Sequence, residues 1–422
     1  MKKRIIIVSA VVAVLVFAAV AIITLTNGKN IDAQPTLPLD TVLTDEQAEE
    51  DLVFMYEAIK NNHPCYLDGS GLDKIFDKAY EEAKERLSVD DSITVRDLWE
   101  IGAEMYCSIE DGHTLITFYD SKPITKSKKL SEGKIISVDG IAREELLTRF
   151  GAVFPCEPQV DFYVDFMLDE ALKLECWNGL LGIDTSDGVI IEIQTEGGTE
   201  VLECTFGYES GESDSANTDA DVEDFYSYEI LEEDSAAVFT LDKCVVTDGY
   251  KKALEDFFRQ VSEKNIGKVA VDLRRNGGGN SQVINEFMRY IDVDEYCIFG
   301  GVDARYGGTL IENKSHIEKN NKSDFVFSGE LYALTSNYTF SSAMDFAVAI
   351  SDNNIGKIVG EIPGNMPTCY GDKLNFQTPN SKLLCGVSYK KFYRVDRTKD
   401  DEPLIPHIET DAENAVQAFI ND

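Results

Sequence analysis

A serine lies where a predicted strand turns into a predicted helix. The segment TSNYTFSSAMD occupies positions 335–345, with Ser341 and Ser342 at its turn. A hydroxyl in this position can simply cap the helix. It can also act as a nucleophile, because a helix N-terminus stabilises developing negative charge and the turn exposes the Oγ atom. The position is therefore compatible with an ordinary N-cap or with a serine nucleophile.

A second segment that could take part in chemistry is RRNGGG at positions 274–279, directly after a predicted strand that ends at Leu273. Its three glycines let main-chain N–H groups point into open space, which suits binding of an anion or a transient oxyanion. The segment has neither the G-x-G-x-x-G order of a dinucleotide-binding turn nor the Gly-Lys-Ser/Thr of a phosphate loop. Taken alone, it is equally compatible with a tight turn.

A serine nucleophile needs a base, and the chain has only four histidines. His113 lies in the turn EDGHT between a predicted helix and a predicted strand. His63 precedes a proline at a helix end and is interpreted as structural. His316 lies in a strongly charged stretch, and His407 follows a proline in a C-terminal loop. Residue type alone does not select one of them as a base.

Both chemically distinctive loops fall in a region where strands and helices alternate. The predicted strands are 237–241, 269–273, 331–335 and 357–359, and the predicted helices are 250–261, 281–291 and 342–350. This alternation favours a mainly parallel sheet flanked by helices. In such sheets the reactive groups gather in the loops at the carboxyl ends of the strands, where both segments lie.

Three sequence blocks, in this order, resemble those of a known family. The blocks are DGHT at 111–114, DLRRNGGG at 272–279, and SSA at 341–343 followed by GKIVGE at 356–361. They are similar to the signatures of the tail-specific, or C-terminal processing, serine peptidases and their tricorn-core relatives. The resemblance extends from about Glu46 to Ile408 and excludes 209–234. It implies a crotonase/protease-like α/β catalytic core, protein or peptide substrates, and no metal or other cofactor.

The resemblance also implies roles for individual residues. Ser341 matches the nucleophile, and the main-chain N–H groups of Gly278 and Ser342 match the oxyanion donors. His113 matches the general base of the tricorn-type branch. The segment 133–151 resembles part of a peptide-binding PDZ module, although its usual carboxylate-binding loop is not evident.

One position departs from the family pattern. The branch that uses a Ser-Lys dyad has its lysine about 25 residues after the serine, where this chain has Met366; the nearest substitute is Lys373. We therefore favour the His-dependent branch, in which an acidic residue near the C-terminus orients the imidazole. Glu402 is the first candidate for that residue and Asp400 the second.

The N-terminus predicts a membrane anchor. Three cationic residues, Lys2, Lys3 and Arg4, precede an uncharged apolar run from Ile5 to Leu25. A helix of this length covers roughly 30 Å, enough to cross the hydrocarbon core, and the cations keep the N-terminus cytoplasmic. We expect a single-pass protein of the cell membrane with an extracytoplasmic catalytic domain, or a secreted protein if the segment is cleaved.

The remaining organisation follows from composition. The predicted units are an anchor at 1–28, a linker at 29–43, a helical unit at 44–110, a β-rich, partly PDZ-like region at 111–208, an acidic loop or insertion at 209–235 and the catalytic core at 236–422. The 422-residue chain has a net charge of −37, which argues against a nucleic-acid partner. Its nine cysteines form no C-x-x-C pair and are interpreted as buried small hydrophobes.

The sequence thus predicts a membrane-anchored extracytoplasmic serine endopeptidase that acts through an acyl-enzyme on Ser341. One alternative is a peptide-binding or scaffolding protein with impaired catalysis on the same fold. A second is a Ser-Lys peptidase that uses Lys373, and a third is a hydrolase of small esters with the same nucleophile. The main prediction requires His113 and Ser341 to meet beside the glycine turn.

Overall fold

The computed structural model describes residues 33–88, 92–207 and 225–422. The predicted membrane anchor and most of the acidic insertion lie outside these residues. Among the helices of the described ranges, none combines the length and the apolar character needed to span a membrane.

The secondary-structure elements are numbered here in chain order. The helices are α1 (Asp45–Asn62), α2 (Leu72–Leu87), α3 (Val95–Cys107), α4 (Ser127–Leu130), α5 (Arg143–Val153), α6 (Phe162–Ala171), α7 (Glu175–Leu180), α8 (Asp248–Glu263), α9 (Gln282–Met288), α10 (Ser342–Asp352) and α11 (Ala415–Asn421). The strands of the N-terminal half are β1 (Val42–Leu43), β2 (Ile93–Thr94), β3 (Leu115–Thr117), β4 (Lys134–Val138), β5 (Ile141–Ala142), β6 (Val189–Thr195) and β7 (Gly198–Cys204). The strands of the C-terminal half are β8 (Tyr226–Leu231), β9 (Ala236–Leu241), β10 (Lys268–Asp272), β11 (Glu295–Cys297), β12 (Gly301–Tyr306), β13 (Thr309–Lys314), β14 (Ile317–Lys319), β15 (Glu330–Thr335), β16 (Gly356–Gly360), β17 (Cys369–Gln377), β18 (Leu384–Tyr393) and β19 (Ile408–Glu409).

The C-terminal half is built on a six-stranded sheet in the order β19-β16-β15-β10-β9-β8. The pairs are parallel except for β8, which runs antiparallel to β9. Helices α8, α9 and α10 pack on one face, and α11 packs on the other. Strands β9, β10 and β15 are nearly continuous apolar runs, because a parallel sheet covered on both faces buries both sides of its central strands. The predicted parallel sheet with flanking helices is confirmed.

One strand of this sheet was predicted as a loop. The acidic composition of 209–235 predicts a loop or an insertion, and the loop prediction is wrong for β8. Tyr226 and Tyr228 alternate with polar residues there, and the two tyrosine rings stack with Phe239 of β9 at a centroid distance of 6.4 Å in each case. The acidic composition of the surrounding segment hides this short period-two pattern.

The N-terminal half has its own hydrophobic core, formed by α1 to α3 together with elements of the region 111–208. Helix α1 begins with the predicted capping box of Thr44 and Gln47. Buried residues of the C-terminal strands, among them Phe376 and Cys385, belong to the same core. The two halves of the chain are therefore joined by shared packing as well as by the backbone.

The join is also made by strand pairing. A five-stranded sheet contains β13, β12, β18 and β17, and β3 from the N-terminal half pairs antiparallel with β18. The register places Ile116 opposite Cys385. Since β3 begins two residues after His113, this pairing carries the His113 turn to the C-terminal half.

The region 111–208 is mixed rather than mainly β. It contains a four-stranded antiparallel sheet in the order β5-β4-β6-β7 and the helices α4 to α7. Its PDZ-like character stays a prediction. All nine cysteines of the chain are free, and seven of them are buried.

Candidate active site

Ser341 is held in a strained backbone conformation at the turn between β15 and α10. Its φ is 54° and its ψ is −127°, a combination that residues with a side chain rarely adopt. Within the described part of the chain its hydroxyl makes no capping hydrogen bond to α10. The main-chain N–H of Ser341 donates to Asn365 Oδ1 at 2.8 Å, which holds the turn in place. These features differ from those of an ordinary N-cap and fit an exposed nucleophile.

The glycine turn packs directly against Ser341. Gly278 has a φ of 103°, and a Cβ atom on it would lie 2.7 Å from Ser341 Cβ and 3.1 Å from Ser342 N. Only glycine fits this contact. The Gly278 N–H donates to Asn276 Oδ1 at 2.9 Å, whereas Ser342 is the first residue of α10, where N–H groups lack intrahelical acceptors. The Ser342 N–H is thus the readier donor to an anion in the cavity, because the Gly278 N–H already has an acceptor in Asn276.

Asn276 joins the glycine turn to the serine turn, and no sequence motif indicated this role. Its side chain is buried, and its Nδ2 donates to the carbonyl of Leu241 at 2.8 Å. Its main-chain carbonyl accepts from Phe340 N at 3.1 Å. Asn276 therefore fixes the glycine turn to the residue before the serine. The only sequence signal for this role, and for that of Asn365, is an amide side chain inside a loop next to a buried strand.

His113 reaches the same place from the N-terminal half. Its imidazole ring lies 4.7 Å from the ring of Phe340, measured between centroids. His113, Ser341, Ser342 and Gly279 line one cavity of about 390 Å³. Neither ring nitrogen of His113 has a hydrogen-bond partner among the described residues. The structure thus places the predicted base, nucleophile and glycine turn around one cavity.

A buried carboxylate lies behind His113. Asp111 Oδ1 accepts from the main-chain N–H of His113 at 2.9 Å and lies 3.7 Å from His113 Nδ1. Asp111 Oδ2 lies 3.2 Å from His63 Nε2, and both side chains are fully buried. His63 Nδ1 accepts from Cys65 N at 3.3 Å, so the proton of a neutral His63 lies on Nε2 and is donated to Asp111.

The hydrogen bonds decide the charge of Asp111. Burial opposes its ionisation, but hydrogen bonds from His113 and His63 outweigh burial and hold the pKa of Asp111 well below its ordinary value. An ionised carboxylate therefore faces His113. The interpretation of His63 as purely structural is incomplete, because it caps a helical turn with one nitrogen and contacts Asp111 with the other.

A second buried carboxylate, Glu157, approaches the same turn. One of its oxygens lies 3.2 Å from the position of a Cβ atom on Gly112, and neither oxygen has a hydrogen-bond partner among the described residues. Burial, followed by repulsion from Asp111, raises the pKa of Glu157 to about 8, so it is mostly protonated at neutral pH. Asp111, His113 and Glu157 have donor atoms within 4.8 Å of one another, and this trio could hold a metal ion. No sequence motif indicated Glu157.

The predicted third catalytic residue lies elsewhere. Glu402 is exposed and is not among the residues that line the cavity; its main-chain carbonyl accepts from Arg394 Nη1 at 3.0 Å. Asp400 accepts from Thr368 Oγ1 at 2.7 Å and from Arg397 Nε at 2.7 Å. These local bonds fix the segment without directing either carboxylate to the imidazole. The geometry favours Asp111 over both as the group that orients His113.

The alternative lysine base is also outside the cavity. Lys373 is absent from its lining, and its Cδ atom lies beside Gly386, 3.4 Å from the position of a Cβ atom there. Desolvation lowers the pKa of Lys373, which suits a base, but its location does not. The lysine that does line the cavity is Lys390, whose ammonium bonds to Asp372 at 2.5 Å. Met366 is buried.

A larger cavity, of about 600 Å³, lies in the N-terminal half and includes Arg96, Phe118 and Glu175 in its lining. No histidine lines it, whereas Ser341 and His113 both line the smaller cavity. The candidate active site is therefore the smaller cavity.

Solved structures that share the fold include mature CPAF and the photosystem II D1 C-terminal processing protease. The structure of mature CPAF is 13% identical to this chain, covers 89% of this chain and 98% of its own, and has a TM-score of 0.64. The photosystem II D1 C-terminal processing protease is 14% identical, covers 90% of this chain and 97% of its own, and has a TM-score of 0.50. The chain thus has a mixed α/β fold with a protease-like core.

The family comparison is more specific. Residues 238–410, which include the glycine turn and Ser341, match the model of peptidase family S41. No curated protein matches the sequence significantly. Residues 238–410 are thus similar to peptidase family S41, and the fold of the chain agrees with this similarity.

Proposed function

We propose that the chain is a serine endopeptidase that hydrolyses proteins or peptides through an acyl-enzyme on Ser341, in the His-dependent manner. One observation carries the proposal: Ser341 lines the same cavity as His113 and has a strained backbone. Its hydroxyl makes no capping hydrogen bond to its helix within the described residues. Strain of this kind persists where the surrounding structure enforces it, which is common at catalytic turns.

The reaction follows from the positions of the groups. His113 removes the proton from Ser341 Oγ as that oxygen bonds to the peptide carbonyl carbon. The N–H of Ser342, joined by that of Gly278 when it leaves Asn276, binds the oxyanion. The imidazolium then protonates the leaving amine as the C–N bond breaks. Water, deprotonated by the same imidazole, releases the acyl group and restores the serine.

Asp111 is the proposed orienting residue. Its ionised carboxylate lies beside His113 Nδ1, so it stabilises the imidazolium that forms in each half-reaction. His63 donates to the other oxygen of Asp111 and holds that carboxylate in place. This assignment replaces Glu402 by a residue two positions before the base. A protonated Glu157 adds no second negative charge to the imidazole at neutral pH.

The location belongs to the same proposal. The cationic residues and apolar run at positions 2–25 support a single-pass anchor in the cell membrane with the catalytic half outside. Cleavage of that run would give a secreted enzyme. Partition of the full-length chain between membranes and medium, together with the N-terminal sequence of the mature protein, tests this part.

Activity is tested with the full-length protein and a mixed peptide library read by mass spectrometry. We expect cleavage at internal peptide bonds and its loss in Ser341→Ala. Equal cleavage by both proteins would contradict the proposal. Binding of peptides without cleavage, and with no labelling by fluorophosphonate, would favour the scaffolding alternative. Cleavage of small esters alone would favour the ester-hydrolase alternative.

A further inference from the structure

The cavity beside Ser341 contains a carboxyl group with no cationic partner among the described residues. Its charged lining residues, apart from His113, are Asp345, Asp372 and Lys390. The Lys390 ammonium donates a hydrogen bond of 2.5 Å to Asp372 Oδ2. Asp345 has no hydrogen bond or ion pair to its carboxylate among the described residues. The pairing of Lys390 with Asp372 leaves one carboxylate in the cavity without a counter-charge.

The position of Asp345 relates this carboxylate to the chemistry. Asp345 lies one helical turn after the nucleophile, and its N–H donates to the carbonyl of Ser341 at 2.9 Å. Residues one turn apart occupy the same side of a helix. Burial, and then repulsion from Asp372, raise the pKa of Asp345 well above its ordinary value. A cation that entered the cavity would stabilise the ionised form of this carboxylate.

The other walls of the cavity suit an extended aliphatic stem. Phe299, Val302 and Phe392 provide apolar surface in the same lining. The rings of Phe299 and Phe392 lie 4.9 Å apart, measured between centroids. Lysine and arginine side chains combine an apolar stem with a cationic end, and they bury the stem against such surfaces. An apolar wall with a free carboxylate beyond it therefore complements their shape and charge.

We propose that Asp345 makes the enzyme selective for peptides that carry a lysine or arginine beside the scissile bond. The inference rests on the proposed peptidase function and adds the substrate class to it. The cationic side chain lies along the apolar wall and pairs with Asp345. A neutral side chain of the same length leaves that carboxylate unpaired and binds less well.

The net charge of the chain offers a competing explanation for a preference for lysine, since a protein with a net charge of −37 attracts any cationic peptide. That attraction is long-range and weakens with salt, whereas a pair inside the cavity is screened much less. An exposed carboxylate outside the cavity provides the matched control. Asp294 is such a group: its side chain is 93% exposed and pairs with Lys322.

The experiment measures kcat/KM of the full-length enzyme for peptide pairs that differ only in lysine or glutamine at each position beside the cleaved bond, in 0.5 M salt at about pH 8. We expect lysine to be preferred by about tenfold or more, the usual effect of one charged hydrogen bond. Asp345→Asn should reduce this preference by about the same factor. Asp294→Asn should leave it within about twofold, as expected for an exposed charge.

A second variant acts in the opposite direction. Lys390→Met leaves Asp372 unpaired, so the preference for lysine should rise; if Asp345→Asn does not fold, this variant still tests whether the cationic side chain binds in this cavity. Equal cleavage of the two peptides by the parent enzyme, or a preference unchanged in Asp345→Asn or not raised in Lys390→Met, overturns the inference but leaves a peptidase. Absence of cleavage of every peptide overturns the proposed function instead.

Discussion

The two sides of the active site are built by different physical means. On the nucleophile side, Ser341 and Gly278 are placed by backbone strain and by amide side chains that bond to the main chain. On the base side, His113 is placed by a buried ionised carboxylate and a second histidine. The first side depends on geometry within a few residues of two loops. The second depends on buried charge and on contacts between distant parts of the chain.

Substitutions on the two sides should therefore reduce activity to different extents. A nucleophile turn that loses one amide hydrogen bond still has the strand and helix on either side to support it. A base that loses its carboxylate partner loses both orientation and electrostatic stabilisation. We therefore expect larger losses of activity from the base side than from the supporting amides of the nucleophile side.

The largest expected effect is that of Asp111→Asn. Loss of the negative charge beside His113 should lower kcat by about 10²–10⁴, because the imidazolium forms in both half-reactions. Steady-state kinetics of the full-length enzyme measures this. The matched control is Asp51→Asn, a fully buried carboxylate that bonds to Ser381 and Asn380. It should lower stability without changing kcat, and equal losses of kcat in the two variants would refute the orienting role.

A smaller loss is expected from Asn365→Ala on the nucleophile side. The main-chain N–H of Ser341 loses its acceptor, so we expect about a tenfold loss of kcat and a loss of unfolding free energy of about 1–3 kcal/mol. Asn178→Ala is the control, because its buried amide donates to two main-chain carbonyls away from the cavity. Asn178→Ala should lower stability without lowering kcat. If Asn365→Ala kept full activity, the strained turn would not need this bond.

His63 is expected to act through Asp111. In His63→Phe the carboxylate loses a donor, so its pKa rises and its charge acts more strongly on His113. Both changes should move the acid limb of the kcat/KM pH profile to higher pH. His63→Gln retains an N–H near the place of Nε2 and should recover most of the profile. An unshifted profile in His63→Phe would leave His63 with a structural role only.

The last prediction concerns stability rather than activity. The pKa of Glu157 is raised to about 8 in the folded chain, so the unfolded chain releases this proton at lower pH. The contribution of Glu157 to stability is therefore complete at acidic pH and is lost as pH rises from about 4.5 to 8, by at most about 1.4 kcal/mol per pH unit. Glu157→Gln should lack this part of the decline. Urea unfolding at pH 5, 6.5 and 8 compares the two proteins, and parallel curves would contradict the assignment.

The same comparison explains what the sequence could predict. The parallel sheet, the glycine turn and the serine turn were accessible because each is encoded in a short run with its own periodicity or turn chemistry. The position of His113 was accessible only through a family resemblance. Its partners were not, since the contact between His63 and Asp111 joins residues 48 positions apart. Burial of a carboxylate such as Glu157 likewise depends on tertiary packing, for which single-sequence patterns carry no signal.

The insertion and the third catalytic residue show two further limits. Strand β8 was missed because the acidic composition of the segment outweighed a short alternation within this six-residue strand. Glu402 was selected by its order along the chain. In the structure its main-chain carbonyl accepts a hydrogen bond from Arg394. Asp111 lies two residues before the base, in the motif DGHT, but the sequence assigned it no role. Order along the chain is a weak guide where several acidic residues compete.

The pairing of His113 with Ser341 is the central claim, and fluorophosphonate labelling tests it most directly. The rate of labelling should be measured in the full-length protein, in His113→Gln and in Lys373→Met, with the modified residue located by mass spectrometry. We expect modification of Ser341 in the parent, a rate about 10²–10⁴ lower in His113→Gln, and little change in Lys373→Met. An unchanged rate in His113→Gln together with loss of labelling in Lys373→Met would contradict the account and assign the base to the lysine.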